Sequence, residues 1–459
     1  MCWTLRGPAR SRSASRGGAS AALVVVVGAV SALVCSCSTP SASSVTPAAG
    51  VKISLNTPAG FRAKQTVDML NSDWPIGPVG VKTLAATDAV KGVQASLENL
   101  WWDRPFTVTG IDYYAGRATL HLLTSFGAEE DIDIHTDVGG MVDRFDAELK
   151  KPTIKSWPDV DAALASSGAR YSYQVAKVDD GRCDKVAGTN TSQSLPLASI
   201  FKLYVLYAVA DAVKAGTLSW DESLLITADA KAVGSSGLEE LPPGATVSVR
   251  TAAEKMIANS DNMATDLLIA RVGTHAVEQA LVDAGHHDPK SMTPFPAMRQ
   301  IFAVGWGRPD MREQWKAAVA TGSPQARAAV LAQVNSHPYQ PDPARTHTPA
   351  STYGAEWYGS AEDICRVHAA LQKGATGVAA PVRPIMSAIP GIDLDNRQWP
   401  YIGAKAGNLP GDLTFSWYAV DEHGQAWVVS FQLNWERYHG PSAGAWVISI
   451  ANQVFDLID

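Results

Sequence analysis

The chain has 459 residues, 46% of them apolar and 18% charged, which excludes a fibrous or wholly disordered protein. Its formal charge is −7, and no basic excess points to a nucleic-acid partner. The four arginines before Cys37 belong to a leader without acids, so setting them aside takes the remainder to −11.

The leader reads as an export signal. Ala21 to Val34 is an uncharged apolar run of 14 residues behind Arg6, Arg10, Arg12 and Arg16. A bilayer span needs about 20 apolar residues, so this run is too short to cross comfortably and suits a signal-peptide core. Val34-Cys35-Ser36-Cys37 follows, and it resembles the bacterial lipobox. Cys37 is the expected lipidated residue, because Ser36 is small where cleavage would fall and Val34 holds the aliphatic position. Residues 1–36 are then the signal and 37–50 a Ser/Pro-rich flexible tether. The expected location is the outer face of the cell membrane through a lipid anchor, or secretion if cleavage leaves no cysteine.

Residues 51–153 read as a small α+β unit. Phe61 to Leu70 and Val90 to Leu100 carry helix-spaced apolar positions. Phe106 to Tyr114, Arg117 to Ser125 and Glu130 to His135 then read as strands, with Ala115-Gly116 at a hairpin turn. Helices followed by a curved antiparallel sheet resemble the steroid-isomerase-like cone. Asp131, Asp133 and Asp137 alternate on one strand face, the pattern of a solvated face rather than a paired-acid site. Lys150 to Pro158 is the expected joint.

Residues 158–459 suffice for one large domain. A helix over Val160 to Ser167 leads into a strand over Arg170 to Val178. At the far end Ser416 to Val420 and Ala426 to Leu433 form a hairpin, and a helix over Ala443 to Leu457 closes the chain. Strands from both ends of the domain predict an antiparallel sheet built from the two termini, covered by a helical region. Cys183 and Cys365 are the cysteines of this body, and sequence leaves open whether they are bridged or free. No Cys/His cluster has metal spacing, His286-His287 reads as loop, and neither a metal nor a cofactor is expected.

Three short motifs carry the chemistry. Ser199-Ile200-Phe201-Lys202 opens an apolar helix expected from about Ala198 to Gly216. A serine and a lysine three apart share one helix face. A serine needs an adjacent base to become a nucleophile, and a buried lysine can serve once desolvation lowers its pKa. Ser260-Asp261-Asn262 lies between helices expected over Thr251 to Asn259 and Met263 to Val272, where Asp261 can hold the turn. Lys405-Ala406-Gly407 comes 143 residues after Asn262, where small residues on an edge strand let a substrate backbone approach a cation.

In that order these motifs resemble the serine β-lactamase and penicillin-binding-protein superfamily, which pairs S-x-x-K, S-D-N and K-T-G. The resemblance covers roughly the last 300 residues and is of the class A type around Met256 to Asp266. A small domain ahead of such a hydrolase also resembles clavulanate-cluster and actinobacterial lipoprotein serine hydrolases. It implies Ser199 as acylated nucleophile, Lys202 as its base and Ser260 as a proton relay. Asn262 would bind the substrate amide and Lys405 a substrate carboxylate. The Ser199 and Asn408 amides, with Gly407 between the strand's lysine and Asn408, would form the oxyanion hole. The implied ligand is a small β-lactam or a cell-wall peptide-like molecule.

Two positions depart from the pattern. Ala406 stands where the superfamily has a hydroxyl. Ser291 to Gln300 lacks the Glu-x-x-Leu-Asn of the class A deacylating loop, and neither Glu356 nor Glu362 is an obvious substitute. The same scaffold therefore leaves three readings: a β-lactamase, a peptidase or esterase with little lactamase turnover, and a ligand-binding lipoprotein with weak chemistry.

Overall fold

The computed structural model describes residues 50–458 except 228–236 and 239. The leader, Cys37 and the tether up to its last residue lie outside the described residues.

Helix α1 (Pro58–Leu70) starts where the Thr57 hydroxyl accepts the Gly60 N–H and Pro58 takes the first helical position. After α2 (Pro78–Leu84), α3 (Val90–Leu100) buries Val93, Leu97 and Leu100, the residues of its 3.6-residue period. Four strands follow as an antiparallel meander: β1 (Thr107–Tyr114), β2 (Arg117–Leu123), β3 (Glu129–Thr136) and β4 (Val142–Leu149). Alternation along β3 turns Glu130, Ile132 and Ile134 inward. Asp131 and Asp133 face outward and are paired there, Asp131 with His121 at 2.7 Å and Lys150 at 2.8 Å, and Asp133 with Arg117 at 2.7 Å. Asp137 lies past the strand and accepts the Met141 N–H in a turn. The sequence reading missed α2 and β4. The first is only seven residues long, and the second buries little beyond Val142, so neither carries a readable period.

Helix α4 (Trp157–Ser166) leads into β5 (Arg170–Asp179), β6 (Arg182–Thr189) and the two-residue β7 (Leu195–Pro196). The helical region follows: α5 (Lys202–Lys214), the small ribbon β8 (Ser223–Leu225) and β9 (Thr246–Ser248), α6 (Val249–Ala258), α7 (Asn262–Val272) and α8 (Thr274–Asp283). It continues through α9 (Met298–Trp306), α10 (Arg312–Ala320) and α11 (Pro324–Asn335). The chain returns through β10 (Tyr358–Gly359), α12 (Ala361–Gly374), α13 (Val382–Ser387), β11 (Tyr401–Leu409), β12 (Asp412–Val420), β13 (Ala426–Asn434) and α14 (Pro441–Phe455).

The large sheet is antiparallel in the order β11-β12-β13-β5-β6, so the first long strands of the domain lie against its last. One face packs on α4 and α14 through Phe431, Trp417, Trp446 and Phe455. On the other side α12 contributes Cys365 and Ala369 to a small cluster with Ala176 and Val428. Helix α5 is apolar all round and sits in the middle of the helical core. The expected helix from Ala198 begins differently: Ala198–Phe201 is a 3-10 turn, and α-geometry starts only at Lys202. Cys183 on β6 and Cys365 on α12 form a disulfide with 6.3 Å between their Cα atoms. That resolves what spacing left open and ties the second edge strand to a helix across the sheet. Among the described residues no helix is long and apolar enough to cross a membrane.

Candidate active site

The segment before Ser199 is held from two sides. Leu197 donates its N–H to the Trp357 carbonyl at 2.8 Å, and its own carbonyl accepts the Thr414 hydroxyl at 2.8 Å. Ala198 then adopts φ +43°, uncommon for a residue with a Cβ, and Ser199 follows within the 3-10 turn. This turn lies directly against β11. A Cβ built on Gly407 would come within 2.6 Å of the Ser199 nitrogen, so only glycine fits there.

One turn on, Lys202 is completely buried. Its Nζ donates to the Ser260 carbonyl at 2.7 Å, the Ser260 hydroxyl at 3.2 Å and Asn262 Oδ1 at 2.7 Å. Ser260 stands at φ +56° between α6 and α7. Asp261 caps α7 by accepting the Ala264 N–H at 2.7 Å, while its carbonyl accepts the Thr265 hydroxyl at 2.7 Å. The central residue of the motif therefore shapes the turn and frees its neighbours to face Lys202.

Lys405 completes the arrangement. Its Nζ donates to the Ser260 hydroxyl at 3.0 Å and to the Ala406 carbonyl at 2.5 Å. Alternation on the edge strand β11 buries Lys405 and Gly407 and exposes Ala406 and Asn408. The structure thus bonds Lys202, Ser260, Asn262 and Lys405 together, with Ser199 one turn before Lys202 and Asn408 on the strand that passes it. Behind Lys405 its carbonyl accepts the Ser416 hydroxyl at 2.9 Å, and His368 donates to Ser416 at 2.8 Å. Burial pushes His368 down to about 3, so it acts as a neutral donor. No motif pointed to His368, because only the pairing of β11 with β12 sets Ser416 beside Lys405.

Ser291 to Gln300, where no deacylating glutamate is legible, is the approach to α9. Asp266, one turn past Asn262 on α7, accepts the Met298 N–H at 2.8 Å and the Arg299 N–H at 2.9 Å. Burial raises its carboxyl to about 6 against those bonds and the charge of Lys202. An acid anchors this segment from below rather than from within it. Glu362 accepts the Thr191 hydroxyl at 3.0 Å, and Glu356 is buried behind the Ser199 turn.

His286, His287 and Asp363 also converge, which their spacing did not reveal. His286 donates to the Tyr358 carbonyl at 2.9 Å and accepts the Asp288 N–H at 3.0 Å, so both ring nitrogens are used. Asp363 accepts from Ser360, His287 and Arg366. Both ring nitrogens of His286 and both carboxylate oxygens of Asp363 are engaged in holding the start of α12.

The S-x-x-K turn, the S-D-N turn and the lysine edge strand thus meet in one hydrogen-bonded cluster. Residues 156–342 match the model of the Beta-lactamase enzyme family, and residues 54–142 match that of the ORF 12 gene product N-terminal region. Among solved structures, the chain is similar to the β-lactamase from Sphaerobacter thermophilus DSM 20745 at 19% identity and TM-score 0.46, over 66% of this chain and 100% of that one. It is also similar to PBP-A, at 18% identity and TM-score 0.43 over 63% and 91% of the two chains. The chromosome-encoded β-lactamase of Vibrio parahaemolyticus follows at 14% identity and TM-score 0.45, over 65% and 96%. No curated protein matches the chain.

Proposed function

We propose that the protein is an exported serine hydrolase that forms an acyl-enzyme through Ser199 on the carbonyl of a β-lactam or a related amide or ester. One observation carries this reading: the Ser260 hydroxyl accepts from both Lys202 and Lys405, and Lys202 is fully buried one turn from Ser199. In that role Lys202 takes the Ser199 proton, Ser260 passes a proton to the leaving nitrogen or oxygen, and Asn262 orients the substrate amide. Lys405 attracts an anionic substrate group, and the amides of Ser199 and Asn408 receive the developing oxyanion. Each oxyanion donor typically supplies about 3–4 kcal/mol. Cys37 carries the lipid anchor that keeps the enzyme at the membrane.

Ala406 favours members of this class that hold carboxylate-bearing β-lactams weakly, because a methyl group stands where a hydroxyl would bind that carboxylate. The deciding experiment is intact-mass analysis after incubation with a penicillin and, separately, with an activated ester. The wild type should gain one acyl group, mapped to the Ser199 peptide, and Ser199→Ala should gain none. Undiminished labelling of Ser199→Ala at another residue overturns the assignment.

A further inference from the structure

Apolar exposure is unevenly spread over the molecule. Of the fourteen large apolar side chains exposed among the described residues, eight lie between Val51 and Val138, and the other six are scattered over the larger body as any soluble surface leaves them. Five of the eight meet at one end of the N-terminal unit: Leu55, Phe61, Tyr113, Tyr114 and the fully exposed Val138. Contacts between their segments draw them together. The Ser54 N–H donates to the Tyr113 hydroxyl at 2.7 Å, and a Cβ on Gly60 would lie 3.1 Å from the Tyr113 ring. Gly140, two residues past Val138, gives its carbonyl to Arg62 at 2.7 Å and lies against Pro58. The Thr136 N–H donates to the Gly116 carbonyl at 2.8 Å, which joins the turn beyond Tyr114 to the turn that carries Val138. Charge at this end is used internally: Asp137 accepts the Met141 N–H, Arg117 pairs with Asp133, and Arg62 bonds the Gly140 and Thr83 carbonyls.

The strands separate this end from the junction with the larger body. The unit meets that body around Asp103 and Phe126. The tips at 114–117 and 136–142 lie at the other ends of β1 to β4, about 25 Å away along strands of this length. We propose that these tips dock on the lipid bilayer, with Leu55, Phe61 and Val138 entering its surface and Tyr113 and Tyr114 at the headgroup level. The proposal rests on the Cys37 anchor and adds the second contact that fixes how the protein stands on the membrane. Chain length allows it. The Val51 N–H donates to the Val108 carbonyl near the base of β1, about 20 Å from Tyr114 along the strand. The 13 steps from Cys37 to Gly50 span at most about 45 Å, enough to reach past the tips. The chemistry fits a bilayer as well. Exposed apolar clusters of this kind mark interaction sites, and tyrosine rings favour the membrane–water interface. One acyl chain holds a protein only marginally, so a second contact strengthens the attachment. The larger body, with Ser199, then stands off the lipid by the length of the strands.

The test places the full lipidated chain on vesicles of phosphatidylethanolamine and phosphatidylglycerol. An environment-sensitive fluorophore is attached at Val138→Cys or, as a control, at Val282→Cys on the exposed side of α8. The first label should be shielded from aqueous iodide roughly tenfold more than the second, and quenched by a nitroxide at headgroup depth. Equal access of iodide to both labels overturns the proposal. The Cys37→Ser chain separates the surface from the anchor. It should float with vesicles only at high lipid, and in high salt as in low, because the charges at this end are paired. Phe61→Ser combined with Val138→Asp should weaken that partition roughly tenfold or more, with thermal unfolding at the parent level. Partition that the double variant leaves unchanged, or that salt abolishes, overturns the proposal, as does a Cys37→Ser chain that never floats. A lipid-free dimer that Val138→Asp dissolves assigns the surface to a second copy instead. If the wild-type Cys37 carries no acyl group, the anchor reading fails by itself, and flotation of the Cys37→Ser chain decides the surface alone.

Discussion

At the scale of single residues the Ser260 hydroxyl lies within hydrogen-bond reach of the side-chain nitrogens of both Lys202 and Lys405, at 3.2 Å and 3.0 Å. A hydroxyl so placed can hand a proton to a leaving group during acylation, but hydrolysis of the resulting ester needs a further group that activates water. Asp266, one turn past Asn262 on α7, spends its oxygens on the start of α9. Acylation should therefore outrun deacylation. A chromogenic cephalosporin should give a burst of about one equivalent followed by a weak steady state. Turnover should lag an efficient hydrolase by the 10²–10⁴-fold, roughly, that a positioned base contributes. Ala406→Thr restores a hydroxyl on the exposed face of β11, so carboxylate-bearing β-lactams should bind more tightly with the slow step unchanged. Stopped-flow kinetics reads both effects, and fast linear turnover without an adduct would mean that another residue activates water.

At the scale of elements, α12 connects the sheet to the helical region and is fastened at its first turn. Ser360 and Asp363 form a reciprocal cap, and Asp363 also accepts from His287 and Arg366. Burial alone would raise the Asp363 carboxyl. The adjacent His286, the Ser360 N–H, Arg366 and His287 together outweigh burial and bring it down to about 2. A depressed carboxyl stabilises the fold above the unfolded-state value near 4, and that contribution disappears as pH falls through about 2. Asp363→Asn should therefore cost about 2 kcal/mol at pH 7 and much less at pH 2. Denaturant melts across that range measure the difference, and a cost independent of pH would reject the ionic account. The disulfide reaches α12 two residues later, at Cys365, and braces the same helix against β6.

At the scale of the whole molecule, the N-terminal unit is joined to the larger body by polar contacts beside an apolar one, Phe126 and Ala128 being buried in the core with Trp446. Asp103 accepts the Gly440 N–H at 2.7 Å, the Arg437 guanidinium donates to the Trp102 carbonyl, and Trp102 stacks on His347. Glu130 turns inward from β3 near Asp103, and burial, then the Asp103 charge, raise it to about 8. A raised carboxyl favours the folded state while protonated, so stability declines as pH climbs from the unfolded value near 4 toward 8. Glu130→Gln should remove that decline and add on the order of 4 kcal/mol at pH 8. Thermal unfolding at pH 5 and pH 8 checks it, and a variant no more stable at the higher pH refutes it. The same scale holds the anchoring proposal. Cys37→Ser should move the protein from the detergent-released membrane fraction to the soluble one, since stable anchoring depends on the acyl chains. A wild type that is already soluble, with an N-terminus other than Cys37, counts against the anchor.

What the sequence determined by itself was local. A period of 3.6 exposed α1, α3 and the closing helix, which bury one face, whereas β5 and the closing strands are covered on both faces and read as near-continuous apolar runs. The order of three motifs pointed to Ser199, Lys202, Ser260, Asn262 and Lys405 before their distances were known, since each motif is a few residues within one turn or strand. Only the tertiary structure decided what depends on juxtaposition over long separations. It paired Cys183 with Cys365, set His368 behind Lys405, and brought the Trp357 carbonyl to the Leu197 N–H. It also made a spent polar knot of His286, His287 and Asp363 rather than an open ligand set. A buried polar side chain leaves no period in the sequence. Its role is defined by a partner that the sheet register or a helix crossing delivers from far along the chain.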